Sequence, residues 1–205
     1  MSPLSTLSYL YTLGLASYAS GLVITPSTSS DGGDLTIQTC FKGETSSLLC
    51  YRGTNGTSQD VTPADVAYIA NYLRRYGREN PKKPNFLTMK GADTADCGEW
   101  SLYTRKSAKA VAKHLDPKID SSVLFEDIAN TIDGGVKTPG NATIPITHHA
   151  SVADCLSDGG SLGVVVNATH PAYLTPEYLA PGFTTKGILI KIVASGVTGE
   201  PEEDE

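Results

Sequence analysis

The chain has 205 residues, of which 40% are hydrophobic and 19% charged, and its formal net charge is −6. This length suits one domain with a sizeable hydrophobic core. Five acidic side chains crowd the last six positions, and removing those five from −6 leaves −1 for the rest of the chain. A near-neutral body lacks the concentrated basic face that nucleic-acid binding requires, so we expect no nucleic-acid partner.

The first 21 residues are typical of a secretory signal peptide. They carry no charged side chain, and the run from Leu4 to Leu15 is modestly apolar. A buried N-terminal helix is the alternative. No other segment approaches the roughly 20 apolar residues of a membrane span, so we expect no transmembrane segment. The sequence predicts an extracellular protein with a flexible connector at 22–34, a single domain at 35–195 and an acidic disordered tail at 196–205.

The domain is predicted to begin with a β-hairpin. Residues 35–41, LTIQTCF, alternate apolar and polar side chains as a half-buried strand does. Residues 47–51, SLLCY, form its expected partner across the turn at residues 42–44.

The first helix is the best-specified element. Thr62 is a candidate N-cap, Pro63 fits the first turn, and Asp65 completes a pattern similar to a capping box. Gly77 is expected to end the helix. The buried face follows helical spacing at Val66, Ile69, Ala70 and Leu73.

The second half of the sequence predicts several strands and one further main helix. Strands are expected at 86–89, 100–104 and 162–166, and a final central strand in GILIKIV. The segment SAKAVAKHL is ambiguous between helix and strand, and the tight TRKS link before it favours a hairpin. A helix with Phe125, Ile128, Ala129 and Ile132 on one face ends at Gly134, and Thr175 opens a short helical turn. These elements predict an α+β fold, an antiparallel or mixed sheet with two main helices packed on one face.

The cysteines indicate structural staples. Four cysteines, Cys40, Cys50, Cys97 and Cys155, most simply form two disulfides in an exported chain. Their spacing lacks the close pairs of a zinc site, and a nucleophilic cysteine would need a histidine brought to it by the fold. Three pairings are possible, and the predicted hairpin favours Cys40–Cys50 with Cys97–Cys155.

Three triplets have the Asn-x-Thr pattern of glycan acceptors, and they begin at Asn55, Asn141 and Asn167. None has proline in the middle, so each can carry a glycan in a eukaryotic secretory route. The prediction of glycosylation agrees with the predicted export.

The chain contains no motif that identifies a reaction. It has no nucleophile elbow, P-loop or HExxH sequence, and we expect no catalytic residue and no cofactor. The pair His148 and His149 invites a metal site, but exposed loop histidines explain it better. Paired carboxylates for glycoside cleavage depend on spatial separation and cannot be read from sequence.

A tyrosine stripe is the strongest candidate for binding. Tyr68, Tyr72 and Tyr76 lie at i, i+4 and i+8, beside the buried face of the first helix. Such a stripe can contact sugars or a protein partner, although partial burial at the core edge is the simpler interpretation.

The order of a cysteine-bearing strand, the helix PADVAYIANYL, the segment DCGEWSLY and the helix VLFEDIANTI resembles fungal small secreted effectors. The similar types are the necrosis-inducing extracellular effectors and the killer-toxin-like α/β sandwiches. The resemblance covers residues 35–135 and implies a non-catalytic protein that acts on another organism, its wall or its membrane. It carries over no functional residue.

Two functions follow from these observations. The first is a secreted, non-enzymatic effector or toxin-like protein with a protein or carbohydrate target. The second is a small secreted hydrolase that acts on cell-wall polysaccharide. A cleft with two carboxylates about 5–10 Å apart, or a Ser/His/Asp cluster, would favour the hydrolase.

Overall fold

The computed structural model describes residues 44–80, 82–94, 98–135 and 150–196, all of which belong to the compact unit Leu35–Glu205. Several sequence predictions lie outside these residues, namely the signal peptide, the connector, the strand at 35–41 and the acidic tail beyond Gly196. Cys40, Cys97, Asn141, His148 and His149 lie outside them as well.

The described residues form seven strands and three α-helices. The strands are β1 Leu49–Cys50, β2 Phe86–Met89, β3 Glu99–Arg105, β4 Ala108–His114, β5 Ser121–Leu124, β6 Gly160–Gly163 and β7 Ile188–Ala194. The helices are α1 Pro63–Arg78, α2 Phe125–Asp133 and α3 Pro176–Leu179. Short 3-10 helices occupy Gly53–Asn55, Gly91–Asp93, Val152–Asp158 and Pro171–Leu174.

The strands form two antiparallel sheets. The larger has the order β1-β6-β7-β4-β3, and the smaller pairs β2 with β5. The ambiguous segment is strand β4, paired with β3 and β7, and the expected final strand is the central β7. The predicted α+β class is therefore confirmed.

Both main helices pack on one face of the larger sheet, as predicted. Alternate residues of β4 and β7 point into this core: Ala108, Ala110, Ala112, Ile188, Ile190 and Ile192, each at most 2% exposed. The alanines of β4 leave room for α1, whose Ile69 and Ala70 are fully buried. Helix α2 adds Ile128, Ala129 and Ile132, also fully buried. Burial of this apolar area is the main favourable term in folding.

The end of α1 differs from the prediction. The helix continues through Gly77 to Arg78, so Gly77 is a buried interior residue. A Cβ there would lie 3.0 Å from the backbone N of Glu126 and 3.2 Å from Cβ of Phe125. Gly77 therefore lets the start of α2 approach α1 closely, and this tertiary contact was invisible in the sequence.

The start of α1 is capped by a distant residue. The Thr62 side chain makes no capping hydrogen bond, which corrects the prediction that it would. Instead the Thr62 N–H donates to Oγ of Ser107 (2.8 Å), and the Ser107 hydroxyl donates to Oδ2 of Asp65 (2.6 Å). Ser107, in the turn between β3 and β4, thus links the two groups that a capping box joins directly.

Strand β1 pairs with β6, which corrects its expected role as a hairpin partner of residues 35–41. Leu49 lies opposite Ser161, and Cys50 lies opposite Gly160. Strand β6 spans 160–163, shorter and earlier than the expected 162–166. A 3-10 helix, capped by Ser151, leads into it and carries Cys155.

This pairing gives a disulfide that the sequence did not predict. Cys50 bonds to Cys155, with their Cα atoms 5.2 Å apart, so the expected Cys40–Cys50 and Cys97–Cys155 bridges are wrong. Gly160 makes room for the bridge, because a Cβ there would lie 2.5 Å from the Leu49 carbonyl oxygen and 2.8 Å from Sγ of Cys155.

The bridge closes a loop with a sequence separation of 105 residues. We predict that Cys50→Ala/Cys155→Ala lowers the free energy of unfolding by about 4–5 kcal/mol, the chain-entropy value for a loop of this size. Urea unfolding measures the loss. Non-reducing peptide mapping must recover a Cys50–Cys155 peptide, and recovery of Cys40 linked to Cys50 would contradict the structure.

The relayed cap gives a second prediction. Ser107→Ala removes the acceptor of the Thr62 N–H and the donor to Asp65, so we expect a loss of about 0.5–2 kcal/mol, as for other N-caps. Thr62→Ala is the matched control and should cost much less, because the Thr62 side chain caps nothing. Equal losses for the two variants in urea unfolding would reject the relay.

Candidate functional site

The predicted tyrosine stripe forms an organised surface, which we call the tyrosine surface and define as Tyr68, Tyr72, Tyr76, Tyr103 and Arg105. Helix α1 supplies the first three residues and β3 the other two. The Tyr72 and Tyr103 rings stack with centroids 3.8 Å apart, and Tyr68 lies 6.3 Å from Tyr103. The sequence identified the stripe on α1 but not its partners on β3.

The two ends of the tyrosine surface are the exposed part. Tyr68 is 37% exposed and Tyr76 42% exposed, whereas Tyr72 is half-buried against the core. The Arg105 guanidinium lies 4.3 Å from the Tyr68 ring centroid, a cation–π contact, and Tyr76 packs edge-on against Phe125 at 4.8 Å. These contacts hold the exposed rings in place.

A shallow hollow of about 350 Å³ lies at the Tyr76 end of the surface, lined by Tyr72, Arg75, Tyr76 and Glu79. Burial raises the pKa of the Tyr103 hydroxyl, and the neighbouring Tyr68 adds to the shift. The Tyr103 hydroxyl therefore stays neutral at physiological pH, and the stripe offers hydrogen-bonding and apolar contacts. This chemistry suits recognition and supplies no nucleophile.

A serine–histidine pair occurs elsewhere in the fold, but it is inaccessible. Nε2 of His114 lies 2.8 Å from Oγ of Ser121, and its Nδ1 lies 2.6 Å from Oγ1 of Thr94. His114, Ser121 and Thr94 are all 0% exposed. Burial lowers the pKa of His114 and favours the neutral ring, and a threonine occupies the place where a catalytic triad has a carboxylate.

The Ser121 hydroxyl also donates to the Lys186 carbonyl at 2.5 Å. The cluster thus joins β4 and β5 to the segment before β7. Its position in the core assigns it a structural role.

A carboxylate pair exists on the outer face of the sheet. Nζ of Lys191 lies 2.8 Å from Oε1 of Glu44 and 2.5 Å from Oε1 of Glu99, so these two oxygens are no further apart than the carboxyl groups of a retaining glycosidase. Lys113 makes a further ion pair with Glu44 at 2.5 Å.

The lysines, however, oppose acid catalysis at this pair. Burial alone would raise the pKa of Glu44, but hydrogen bonds from Lys113 and Lys191 outweigh it and lower that pKa below the ordinary value. A glycosidase general acid needs the reverse shift. Lys191 itself has a raised pKa, because its two carboxylate partners outweigh its burial, so it remains a cation between them.

Two of the three predicted glycan acceptors lie among the residues that the structure describes. Asn55 and Asn167 are both exposed, as a glycan acceptor must be. Oδ1 of Asn167 accepts a 2.7 Å hydrogen bond from the Thr169 hydroxyl of its own triplet. Among the residues that the structure describes, no group of three or more His, Cys, Asp or Glu side chains is arranged to hold a metal ion. The described helices include none that is both long and apolar enough for a membrane span.

The sequence missed an aromatic groove. It lies between the smaller sheet and residues 170–183, and its volume is about 780 Å³. Phe86, Tyr178 and Phe183 line it, and no local pattern brings Phe86 to the other two, which lie more than 90 positions later in the chain. The sequence marks them only as aromatic residues, Phe86 at the start of a strand and Tyr178 in the short helix α3.

A buried carboxylate anchors the wall of this groove. Asp127, in the first turn of α2, is 3% exposed and accepts hydrogen bonds from the Tyr173 hydroxyl (2.6 Å) and the Asn167 N–H (3.3 Å). Burial raises the pKa of Asp127 above its ordinary value, although both hydrogen bonds oppose the shift. The folded state therefore holds the Asp127 proton more tightly than the unfolded chain does.

The sign of this shift gives a pH prediction. A carboxyl whose pKa is raised by folding contributes less stability as the pH rises through its folded pKa. Asp127→Asn keeps an acceptor oxygen but cannot ionise, so the variant should gain stability relative to the wild type between about pH 4 and pH 7. Urea unfolding at several pH values measures the difference. A wild-type advantage that grows towards pH 7 would contradict the prediction.

Comparison of this chain with protein-family models, with curated proteins and with solved structures found no match. The function therefore rests on the geometry of the chain itself.

Proposed function

We propose that the chain is a secreted, non-catalytic binding protein of the effector or toxin-like type, which acts on another organism through the tyrosine surface. The observation that carries this proposal is the exposure of Tyr68 and Tyr76 on a surface whose rings are held by stacking and by Arg105. The resemblance to fungal secreted effectors leads to the same class of function.

The composition of the tyrosine surface suits a protein target. Tyrosine and arginine are enriched among the residues that dominate binding energy at protein interfaces. A tyrosine has few rotatable bonds, and rings already fixed by neighbours lose little further entropy on binding. Arg75 and Arg105 lie beside the rings and outnumber the single carboxylate of Glu79 in the hollow, so a partner with exposed carboxylates is the best complement.

The alternative hydrolase has weaker support. The Ser121–His114 pair is buried, and the Glu44–Glu99 pair is bridged by Lys191. The first arrangement gives a substrate no access, and in the second the lysines lower the pKa of Glu44, whereas a general acid needs it raised. These observations favour binding over catalysis.

Export is supported by two features of the fold. The Cys50–Cys155 disulfide is of the kind that persists in oxidising compartments. Asn55 and Asn167 are exposed, so glycan addition at either would not disturb the core.

The decisive test compares binding to foreign cells with wall hydrolysis. Fluorescently labelled protein with its disulfide intact is titrated onto intact plant and yeast cells, and dye uptake is followed in parallel. We predict saturable binding that Tyr68→Ser/Tyr76→Ser weakens about tenfold or more, because interface hot spots typically cost over 1 kcal/mol each. The variant also loses the contacts of Tyr68 with Arg105 and of Tyr76 with Phe125, so some unfolding free energy should be lost, and urea unfolding must show that the variant is folded under the binding conditions.

Leu174→Ser is the control, since Leu174 is 65% exposed and lies outside the tyrosine surface. It should bind as the wild type does. Release of reducing ends from wall polysaccharide by the wild type, unchanged in the double tyrosine variant, would instead support the hydrolase. Absence of binding to any cell type would reject the proposal.

A further inference from the structure

The aromatic groove has a charged mouth and an aromatic floor. Its floor is formed by strands β2 and β5 of the smaller sheet, and its wall by the segment from His170 to Phe183. Lys82 and Lys83, both exposed, stand at its mouth in the loop after α1. None of these residues belongs to the tyrosine surface.

The aromatic side chains of the groove are fixed in place. The Phe86 ring lies 5.3 Å from Tyr178, and Tyr178 lies 6.0 Å from Phe183. The Tyr178 hydroxyl donates to the Ser122 carbonyl at 2.8 Å, which ties the wall to the floor. Phe86 and Phe183 remain half-buried, so part of each ring is open to a ligand.

Polar groups surround the rings. The hydroxyls of Thr88 and Ser122 lie 2.8 Å apart, and Thr88 is half-buried at the floor. Nδ1 of His170 accepts the Ala172 N–H at 3.2 Å, which places the proton of the neutral ring on Nε2. Nε2–H and the Thr88 hydroxyl are thus the hydrogen-bonding groups that complement the apolar floor.

We propose that this groove binds an acidic oligosaccharide, a chain of sugars that bear carboxylates. The C–H face of a sugar ring is apolar and packs on an aromatic ring, while its hydroxyls need hydrogen-bonding partners such as Thr88 and His170. The carboxylates of such an oligosaccharide would pair with Lys82 and Lys83 at the mouth. Glu177, on the wall, is the single acidic side chain among the lining residues.

Other anionic polymers fit less well. A nucleic acid needs many cationic contacts to the phosphates, and this groove offers two lysines on a chain of net charge −6. A volume of about 780 Å³ lies within the range of small-ligand sites and suits a short oligosaccharide better than a folded partner. This inference goes beyond the proposed function, since it assigns a second site with its own ligand class.

The test uses a matched pair of probes and the full-length protein. Isothermal titration calorimetry compares a short oligogalacturonate with its fully methyl-esterified counterpart, which has the same rings but no carboxylate charge. We expect the acidic form to bind about fivefold or more tightly, the value for two exposed ion pairs of about 0.5 kcal/mol each.

Variants locate the site. Lys82→Gln/Lys83→Gln should weaken the acidic probe about fivefold and leave the ester unchanged, since only the ion pairs are lost. Lys90→Gln/Lys106→Gln removes the same charge at exposed positions outside the groove and should change neither affinity. Phe183→Leu, which keeps an apolar side chain without a ring face, should weaken both probes.

Three results would overturn the proposal. They are equal affinity for the two probes, equal weakening by the two lysine pairs, and no binding of either probe to a protein that unfolds cooperatively. Tyr68→Ser/Tyr76→Ser must leave oligogalacturonate binding unchanged, so failure of this site and failure of the tyrosine surface are distinguishable.

Discussion

The contact between α1 and the first turn of α2 positions both candidate surfaces. Gly77 allows backbone and Cβ atoms of α2 to come within about 3 Å of where a side chain would otherwise stand. One turn earlier, Arg74 donates to both oxygens of Asp133 at 2.7 and 2.8 Å and to Asn130 at 3.2 Å. The Arg74 side chain is only 8% exposed, so loss of the Asp133 charge would leave the guanidinium buried without its ionic partner, a cost of about 3–5 kcal/mol.

This contact gives the exposed rings a rigid base. Phe125, the first residue of α2, packs edge-on against Tyr76 because Gly77 admits it to the side of α1. One turn earlier in the same stripe, Tyr72 stacks on Tyr103 over the core. The nearby Arg78–Glu126 ion pair is 60% exposed at the arginine and contributes little to the contact by comparison. A surface built on buried packing in this way loses little freedom when a partner binds it.

The sequence predicted the elements with a local pattern. The spacing of Val66, Ile69 and Leu73 and the apolar run of β7 each indicate burial directly, and the structure confirms both. The β4 segment is ambiguous by its own pattern, and the tight link before it favours the hairpin that the structure contains. The predictions that failed depended on contacts between distant segments. The sequence predicts a helix stop at Gly77 because the residues that pack against Gly77 lie in α2 and are not visible locally. It predicts a cap at Thr62 because Ser107, which accepts the Thr62 N–H, lies 45 positions away. The disulfide was mispaired because β1 finds its partner in β6, a register that the local turn could not reveal. The aromatic groove was missed for the same reason.

Asn85 links the two candidate sites by hydrogen bonds. Its N–H donates to the Gly77 carbonyl (3.1 Å), and its side-chain amide donates to the Tyr76 carbonyl (2.7 Å). Its own carbonyl accepts the Phe125 N–H (3.2 Å), and the next residue, Phe86, lines the aromatic groove. The strand of the groove is therefore fixed to the end of the helix that bears the tyrosine surface.

A rigid connection of this kind holds the two surfaces at a constant separation. If the proposed protein target and the proposed acidic oligosaccharide share a cell surface, occupancy of one site would raise the effective concentration at the other. The gain in affinity then needs no change of shape, since the fold itself supplies the spacing.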